Sequence, residues 1–155
     1  MTHPAPPSAE QAQAIAERVR DGMYAKDAAA RSLGMTVTDI GAGHATVTMP
    51  VRPDMLNGFG ICHGGLIATL ADTAFAYACN SHNELTVASG FEVNILAPGK
   101  PGDLLTACAT VASQGTRMGV YDVEVHNQAG VRIALFRGRS YRMKSKAVVD
   151  SGATP

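Results

Sequence analysis

HGGLIATLADTAFAYACNSH, residues 63–82, holds no lysine, arginine or glutamate and a single aspartate. At about 100° per residue, Leu66, Ile67, Leu70, Ala71, Ala74, Phe75 and Ala78 fall on one broad helix face, suited to lie on a sheet. The opposite face carries Gly65, Ala68, Thr69, Asp72, Ala76 and Cys79. A solvated helix face is normally rich in Lys, Glu and Arg. This lane of small residues is therefore read as buried against a second chain or a ligand, with Asp72 inside it. The alternative is that Asp72 caps a nearby loop by accepting backbone N–H groups.

The flanking sequence supplies what that helix would pack on. SAEQAQAIAERVRDGMYAKDAAARSLG, starting at Ser8, reads as a first helix, with Ser8 as N-cap and Gln11 in the capping-box position. Gly22 weakens its middle and Gly34 can stop it. The periodicity then switches to two: in HATVTMPV, Ala45, Val47, Met49 and Val51 point one way and His44, Thr46 and Thr48 the other. RPDMLNGFGIC is a glycine-rich loop with an Asn57-Gly58 turn signal. After the long helix come four strand-like runs, LTVASGFEVNILAPG, DLLTACATVASQG, MGVYDVEVHNQ and VRIALFRGRSYRM. Pro98–Gly102 and Asn127–Gly130 read as turns between them. The order is helix, two strands, helix, four strands. It predicts an α+β fold: an antiparallel sheet wrapped around one long central helix, with an extra N-terminal helix. Residues 1–8 are expected to be a flexible N-terminus, 9–146 one domain and 147–155 a flexible tail.

Composition narrows the function class. With 155 residues, 46% of them hydrophobic and 17% charged, the chain is globular rather than disordered. The net charge of zero gives no reason to expect nucleic acid or a membrane as partner. The charge is unevenly spread, however. Lys100, Arg117, Arg132, Arg137, Arg139, Arg142, Lys144 and Lys146 face only Asp103, Asp122 and Glu124 in the same stretch, an excess that suits a small anionic ligand. Cys62, Cys79 and Cys108 are odd in number and unrelated in spacing, as expected of free thiols in a reducing compartment. MTHPAPPSAE has neither the basic start nor the apolar run of a signal peptide, and no run reaches the ~18 apolar residues of a membrane span. A cytoplasmic protein is expected.

The start of the long helix adds a second chemical element. Gly64 and Gly65 leave their N–H groups unshielded at a helix N-terminus, where donors are unpaired and the dipole favours negative charge. A carbonyl oxygen docked there would be polarised as in an oxyanion hole. The plainer reading is that the glycines permit close packing. Gly64 and Asp72 are eight residues apart, which along one helix is about 12 Å. A nucleophile or base has to sit ~3 Å from the reacting atoms. If the two groups cooperate they come from different subunits, on two antiparallel helices, which predicts a two-fold dimer.

Asn57 to Asn80, NGFGICHGGLIATLADTAFAYACN, resembles the hotdog thioesterases of the phenylacetate-degradation (PaaI) type. So do LAPGKPGDLLTA (Leu96 to Ala107), GVYDVEV (Gly119 to Val125) and ALFRGRSYR (Ala134 to Arg142). The similarity runs from about Ala30 to Met143. It implies a hotdog fold, a homotetramer of two dimers, and hydrolysis of aryl- or arylacetyl-CoA thioesters without metal or separate cofactor. It implies that Asp72 is the catalytic carboxylate, as nucleophile or as base on water, and that the Gly64 N–H polarises the thioester carbonyl. Asn57 would position the water or the substrate, with His63 organising the loop and Gly65 beside it. Ser89 lies near a hydroxyl position that helps hold water in some relatives. Arg117, Arg139 and Lys144 are candidates to meet the CoA phosphates.

Three other readings use the same residues. A hotdog hydratase or dehydratase would use His63 with an acidic partner for proton transfer. Cys62, preceding a helix N-terminus beside His63, could be a nucleophile of lowered pKa. A non-catalytic acyl-CoA-binding module would bind CoA esters without hydrolysis.

Overall fold

The computed structural model describes residues 5–150. The part of the N-terminal segment before Ala5, and the tail after Asp150, lie outside the described residues. Helix α1 (Ala9–Tyr24) opens with the expected capping box: the Ser8 hydroxyl accepts from the Gln11 N–H and the Gln11 side chain accepts from the Ser8 N–H. The first helical run does not continue to Gly34. It breaks after Tyr24 because Asp27 caps a separate helix α2 (Ala28–Ser32), its carboxylate accepting from the Ala30 N–H at 3.0 Å. An aspartate inside a helical pattern competes for backbone donors in this way and starts a new helix.

Two strands follow, β1 (Thr36–Gly41) and β2 (His44–Pro50), then helix α3 (Gly64–Asn80). Strands β3 (Thr86–Ile95), β4 (Leu104–Gln114), β5 (Met118–His126) and β6 (Arg132–Arg142) complete the chain. All six strands join one antiparallel sheet in the order β1-β2-β4-β5-β6-β3. Alternate residues of β2, Ala45, Val47 and Met49, are buried, as their period-two pattern requires. They meet Ile67, Leu70, Ala71, Ala74, Phe75 and Ala78 on the apolar face of α3, all buried. Phe75 is the centre of this contact, with ring centroids 5.6 Å from Tyr121 and 5.8 Å from Phe136. Full burial of each of the larger side chains, Val47, Met49, Ile67, Leu70 and Phe75, contributes ~1.5–3 kcal/mol to the helix–sheet contact. This is the sheet-wrapped central helix that the pattern predicts.

Strand β3 is a sheet edge, ten residues long. It carries Val87, Phe91 and Ile95, each about half exposed. Phe91 stacks on Phe136 with centroids 4.9 Å apart, so its ring continues the core outward past the reach of α3. A long apolar edge of this kind has unpaired backbone groups and is normally covered.

The segment expected to begin a loose tail departs from that expectation over 147–150. The Asn83 side-chain oxygen accepts from the N–H groups of Val148 and Val149 at 3.1 and 2.9 Å, and its amide donates to the Val149 carbonyl at 3.0 Å. The Leu85 N–H donates to the Lys146 carbonyl at 2.8 Å. Gly22 has a tertiary role beyond weakening α1: a Cβ there would land on the Cγ1 of Val149. The missing side chain lets the C-terminal segment lie against the helix.

Candidate active site

Helix α3 is continuous from Gly64 to Asn80, so Gly64 and Asp72 sit about 12 Å apart along one axis. His63 is the N-cap, and its Nδ1 accepts from the Gly65 N–H at 3.4 Å. Leu66 and Ile67 donate to the His63 carbonyl, whereas the Gly64 N–H has no acceptor among the described residues. That N–H is a free donor at the positive end of a seventeen-residue helix. The open loop before it is tied down by the Cys62 N–H to the Gly99 carbonyl and the His63 N–H to the Met55 carbonyl, at 2.8 and 2.9 Å.

Asn57 belongs to this same end. Its Oδ1 accepts from the N–H groups of Phe59 and Ile61 at 2.9 and 3.4 Å, an Asx turn that shapes the loop. The Nδ2 has no acceptor among the described residues. The left-handed residue of the loop is Gly60, at φ +73°, and not the Gly58 of the Asn-Gly signal. Phe59 at the tip is 90% exposed.

Asp72 lies elsewhere. It lines a cleft of about 350 Å³ walled by Phe75, Ala76, Cys79, Val87 and Ala88, and by Met23 of α1 and Val148. Its carboxylate accepts no hydrogen bond among the described residues, which removes the loop-capping alternative within one chain. Partial burial with no cation beside it pushes its pKa up from the ordinary carboxylate value. The lane around it is chemically apolar. The Thr69 and Thr73 hydroxyls donate back to the Gly65 and Thr69 carbonyls, each at 2.8 Å. The amide of Asn80 is spent on the Ala76 and Thr86 carbonyls and on the Thr86 N–H, each at 2.9 Å. Cys79, placed in the lane by its helical angle, is buried within the chain, and burial pushes its thiol up to about 12.

The structure thus brings Asn57, His63, Gly64 and Gly65 together at one end of α3 and leaves Asp72 two turns away. Known proteins share this arrangement's sequence. A model of the thioesterase superfamily matches residues 59–134. The acyl-coenzyme A thioesterase PaaI of Escherichia coli K12 is 51% identical over 121 residues, 78% of this chain and 86% of that protein. The chain belongs to the thioesterase superfamily, in its PaaI-type branch. The solved structure of the E. coli PaaI protein, from the phenylacetic acid degradation operon, matches with a TM-score of 0.85 over 86% of this chain and 97% of that one. A thioesterase protein of Streptococcus pneumoniae TIGR4, solved with coenzyme A, is 27% identical and matches with a TM-score of 0.74, over 83% of this chain and 99% of that one. The fold is a hotdog and the protein is a thioesterase.

The remaining candidates of this thioesterase separate by location. Ser89 is the bulged residue where the β3–β6 register shifts, and its hydroxyl donates to the Arg139 carbonyl at 3.1 Å rather than lining the Asp72 cleft. Arg139 sits on the exposed face over Gly90. Arg117 and Lys144 do meet, across a second cleft of about 590 Å³ that they share with Arg142 and Lys146. Arg117 donates to the Tyr141 hydroxyl at 2.9 Å, while Arg142 is paired with Glu84 at 2.8 Å. Part of the basic excess is neutralised, with Arg132 on Glu124 and Arg137 in a two-bond pair with Asp122. Cys62 is buried, and burial raises its thiol pKa, the opposite of what an activated nucleophile needs. The His63 ring spends its Nδ1 on capping the helix, which favours the loop-organising role over a proton-transfer one.

Sequence reasoning missed Met23, Asn83 and Val148. The one available signal was the apolar Val148-Val149 pair in an otherwise polar terminus. No helix among the described residues is long and apolar enough to cross a membrane.

Proposed function

We propose that the protein hydrolyses acyl-CoA thioesters in the cytoplasm at sites shared between two subunits, with arylacetyl-CoA such as phenylacetyl- or hydroxyphenylacetyl-CoA as substrate. The observation that carries the proposal is Asp72: a carboxylate without partners, on an apolar cleft, about 12 Å from the free N–H of Gly64 on the same helix. Pairing two α3 helices antiparallel would bring Gly64 of the partner subunit opposite Asp72. The exposed apolar edge of β3 is the surface such a dimer would cover. Two such dimers make the tetramer implied by the family resemblance.

In this reading the thioester carbonyl oxygen accepts the Gly64 N–H, and the helix dipole stabilises the charge that develops on it. Asp72 attacks the carbonyl carbon, or takes a proton from a water that does. The tetrahedral intermediate collapses with cleavage of the carbon–sulfur bond, and CoA leaves as the thiolate and takes up a proton. On the nucleophilic route a water then hydrolyses the acyl–Asp72 anhydride, so that either route ends in free acid and a regenerated carboxylate. Both routes require the same carboxylate position. Nδ2 of Asn57 is the donor left over to orient the water or the substrate. The acyl group rests in the cleft beside Asp72. Its apolar walls suit a ring or a short chain, and the operon of the E. coli relative supports an arylacetyl group. Arg117 and Lys144 would meet the CoA phosphates at the second cleft.

The test is thiol release from a panel of CoA esters by wild type and Asp72→Asn side by side. Hydrolysis strongest with arylacetyl esters and lost in the variant is the expected result. A folded oligomer that binds the esters but releases no thiol would instead mark a binding module.

A further inference from the structure

The Asp72 cleft is lined in part by two residues that lie outside the span matched by the family model, Met23 on α1 and Val148 on the C-terminal segment. We propose that these two side chains form the end wall of the acyl pocket and set the largest acyl group the enzyme accepts. The inference rests on the reading of Asp72 as the reacting carboxylate.

Four observations carry it. The first is position: one cleft is lined by Asp72, by Ala76 and Cys79 one and two turns further along α3, and by Met23 and Val148. An acyl group whose carbonyl lies at Asp72 and whose tail follows Ala76 and Cys79 stays in the cleft that Met23 and Val148 also line.

Size is the second. About 350 Å³ is near the lower end of the ~300–1,000 Å³ typical of small-molecule sites, so a wall residue decides whether a longer chain fits.

The third is chemistry. Met23 and Val148 are both half-buried and apolar, and the polar side chains nearby, Asn80 and Thr86, have their hydrogen bonds satisfied within the chain. The wall therefore discriminates by shape and offers no competing polar contact.

The fourth is that the wall is held. Asn83, at φ +60°, makes three hydrogen bonds to the backbone of Val148 and Val149, and Gly22 gives Val149 a seat on α1 next to Met23. Val148 also lines the groove shared with Gly22, Met23, Lys26 and Asp27, so α1 and the C-terminal segment meet as one structure. A terminal segment without these attachments could not reject anything.

The test uses opposed substitutions in the full chain. Val148→Ala enlarges the cleft and Met23→Trp fills it, and each is read across straight-chain acyl-CoA esters from butanoyl to dodecanoyl plus phenylacetyl-CoA. The expected result is a shift of the length optimum to longer chains in Val148→Ala and to shorter ones in Met23→Trp. At the wild-type limit, kcat/KM should change by about tenfold per methylene admitted or rejected. Equal factors across the series in both variants would overturn the inference while leaving the thioesterase reading intact. The same series is measured as binding of S-alkyl-CoA thioethers by calorimetry. If those show the shifting length limit while the esters are not hydrolysed, the wall stands and the hydrolytic reading falls.

Discussion

Replacing Gly22 by alanine isolates the contact that holds the C-terminal segment on α1. Glycine within a helix is less favourable than alanine by about 1 kcal/mol, so on a free helix surface Gly22→Ala would stabilise the protein by up to that amount. Here the added methyl falls on Cγ1 of Val149, while Cβ of Val149 is 3.6 Å away, an ordinary contact distance. Val149 is β-branched and its backbone is held on both sides by Asn83, so it cannot easily swing clear. The helix gain should be cancelled or reversed in the wild-type background and restored in Val149→Ala, where the clashing methyl is absent. The expected coupling in the double-mutant cycle is about 1 kcal/mol or more. Urea unfolding of the four proteins at one fixed protein concentration measures it, since oligomer stability varies with concentration. If Gly22→Ala stabilises both backgrounds by the same ~1 kcal/mol, Val149 does not pack on α1 and the anchored wall of the acyl cleft loses its support.

Asp72→Asn should cost about 10²–10⁴-fold in kcat and still raise stability at neutral pH. Burial raises the folded-state pKa of Asp72 above its unfolded value, so the folded chain binds the proton more tightly between the two values. Stability therefore falls as pH rises through that window, and the cost is fully present above the folded pKa. Urea midpoints of wild type and variant should converge at acid pH, and a constant gap would contradict the assignment. The same raised pKa places the acid limb of kcat/KM above the ordinary carboxylate range of ~3.9, with activity lost as pH falls; a limb at the ordinary value would show Asp72 in open solvent. Asn57→Asp retains the Oδ1 acceptor of the Asx turn but loses the Nδ2 donor. It should unfold like wild type and hydrolyse poorly, whereas Asn57→Ala should lose loop stability as well. Iodoacetamide should label the exposed Cys108 ahead of the buried Cys62 and Cys79 and leave thiol release unchanged; inactivation matched to Cys62 labelling would revive a thiol nucleophile.

Much of the fold can be read along the chain because its signals are local. The face of α3 that buries Leu70, Ala74 and Phe75 follows from helical spacing, and the alternation in β2 from strand spacing. The Ser8–Gln11 capping box is likewise a short-range hydrogen-bond pair. Asp72 could be singled out because one carboxylate among alanines has no local explanation. The break between α1 and α2 was harder to read, since Asp27 fits both a helix interior and a cap. Part of its fuller role comes from Tyr77, fifty residues away, whose hydroxyl donates to the same carboxylate at 3.3 Å.

Charge shows the limit most clearly. Arg117, Arg139 and Lys144 look alike in sequence, and only the fold puts Arg117 and Lys144 on one cleft while leaving Arg139 over Gly90, outside that lining. The β3 bulge likewise reassigns Ser89, because one extra residue flips the side chains beyond it to the other face. By itself the sequence determined the element types, the apolar face of α3 and the isolation of Asp72, all of which depend on residues within a turn or two of each other. Tertiary structure alone decided that Met23 and Val148 line the cleft beside Asp72 and that Gly22 and Asn83 seat the C-terminal segment there. Those residues lie up to 126 positions apart, and no local preference of any one of them encodes the meeting.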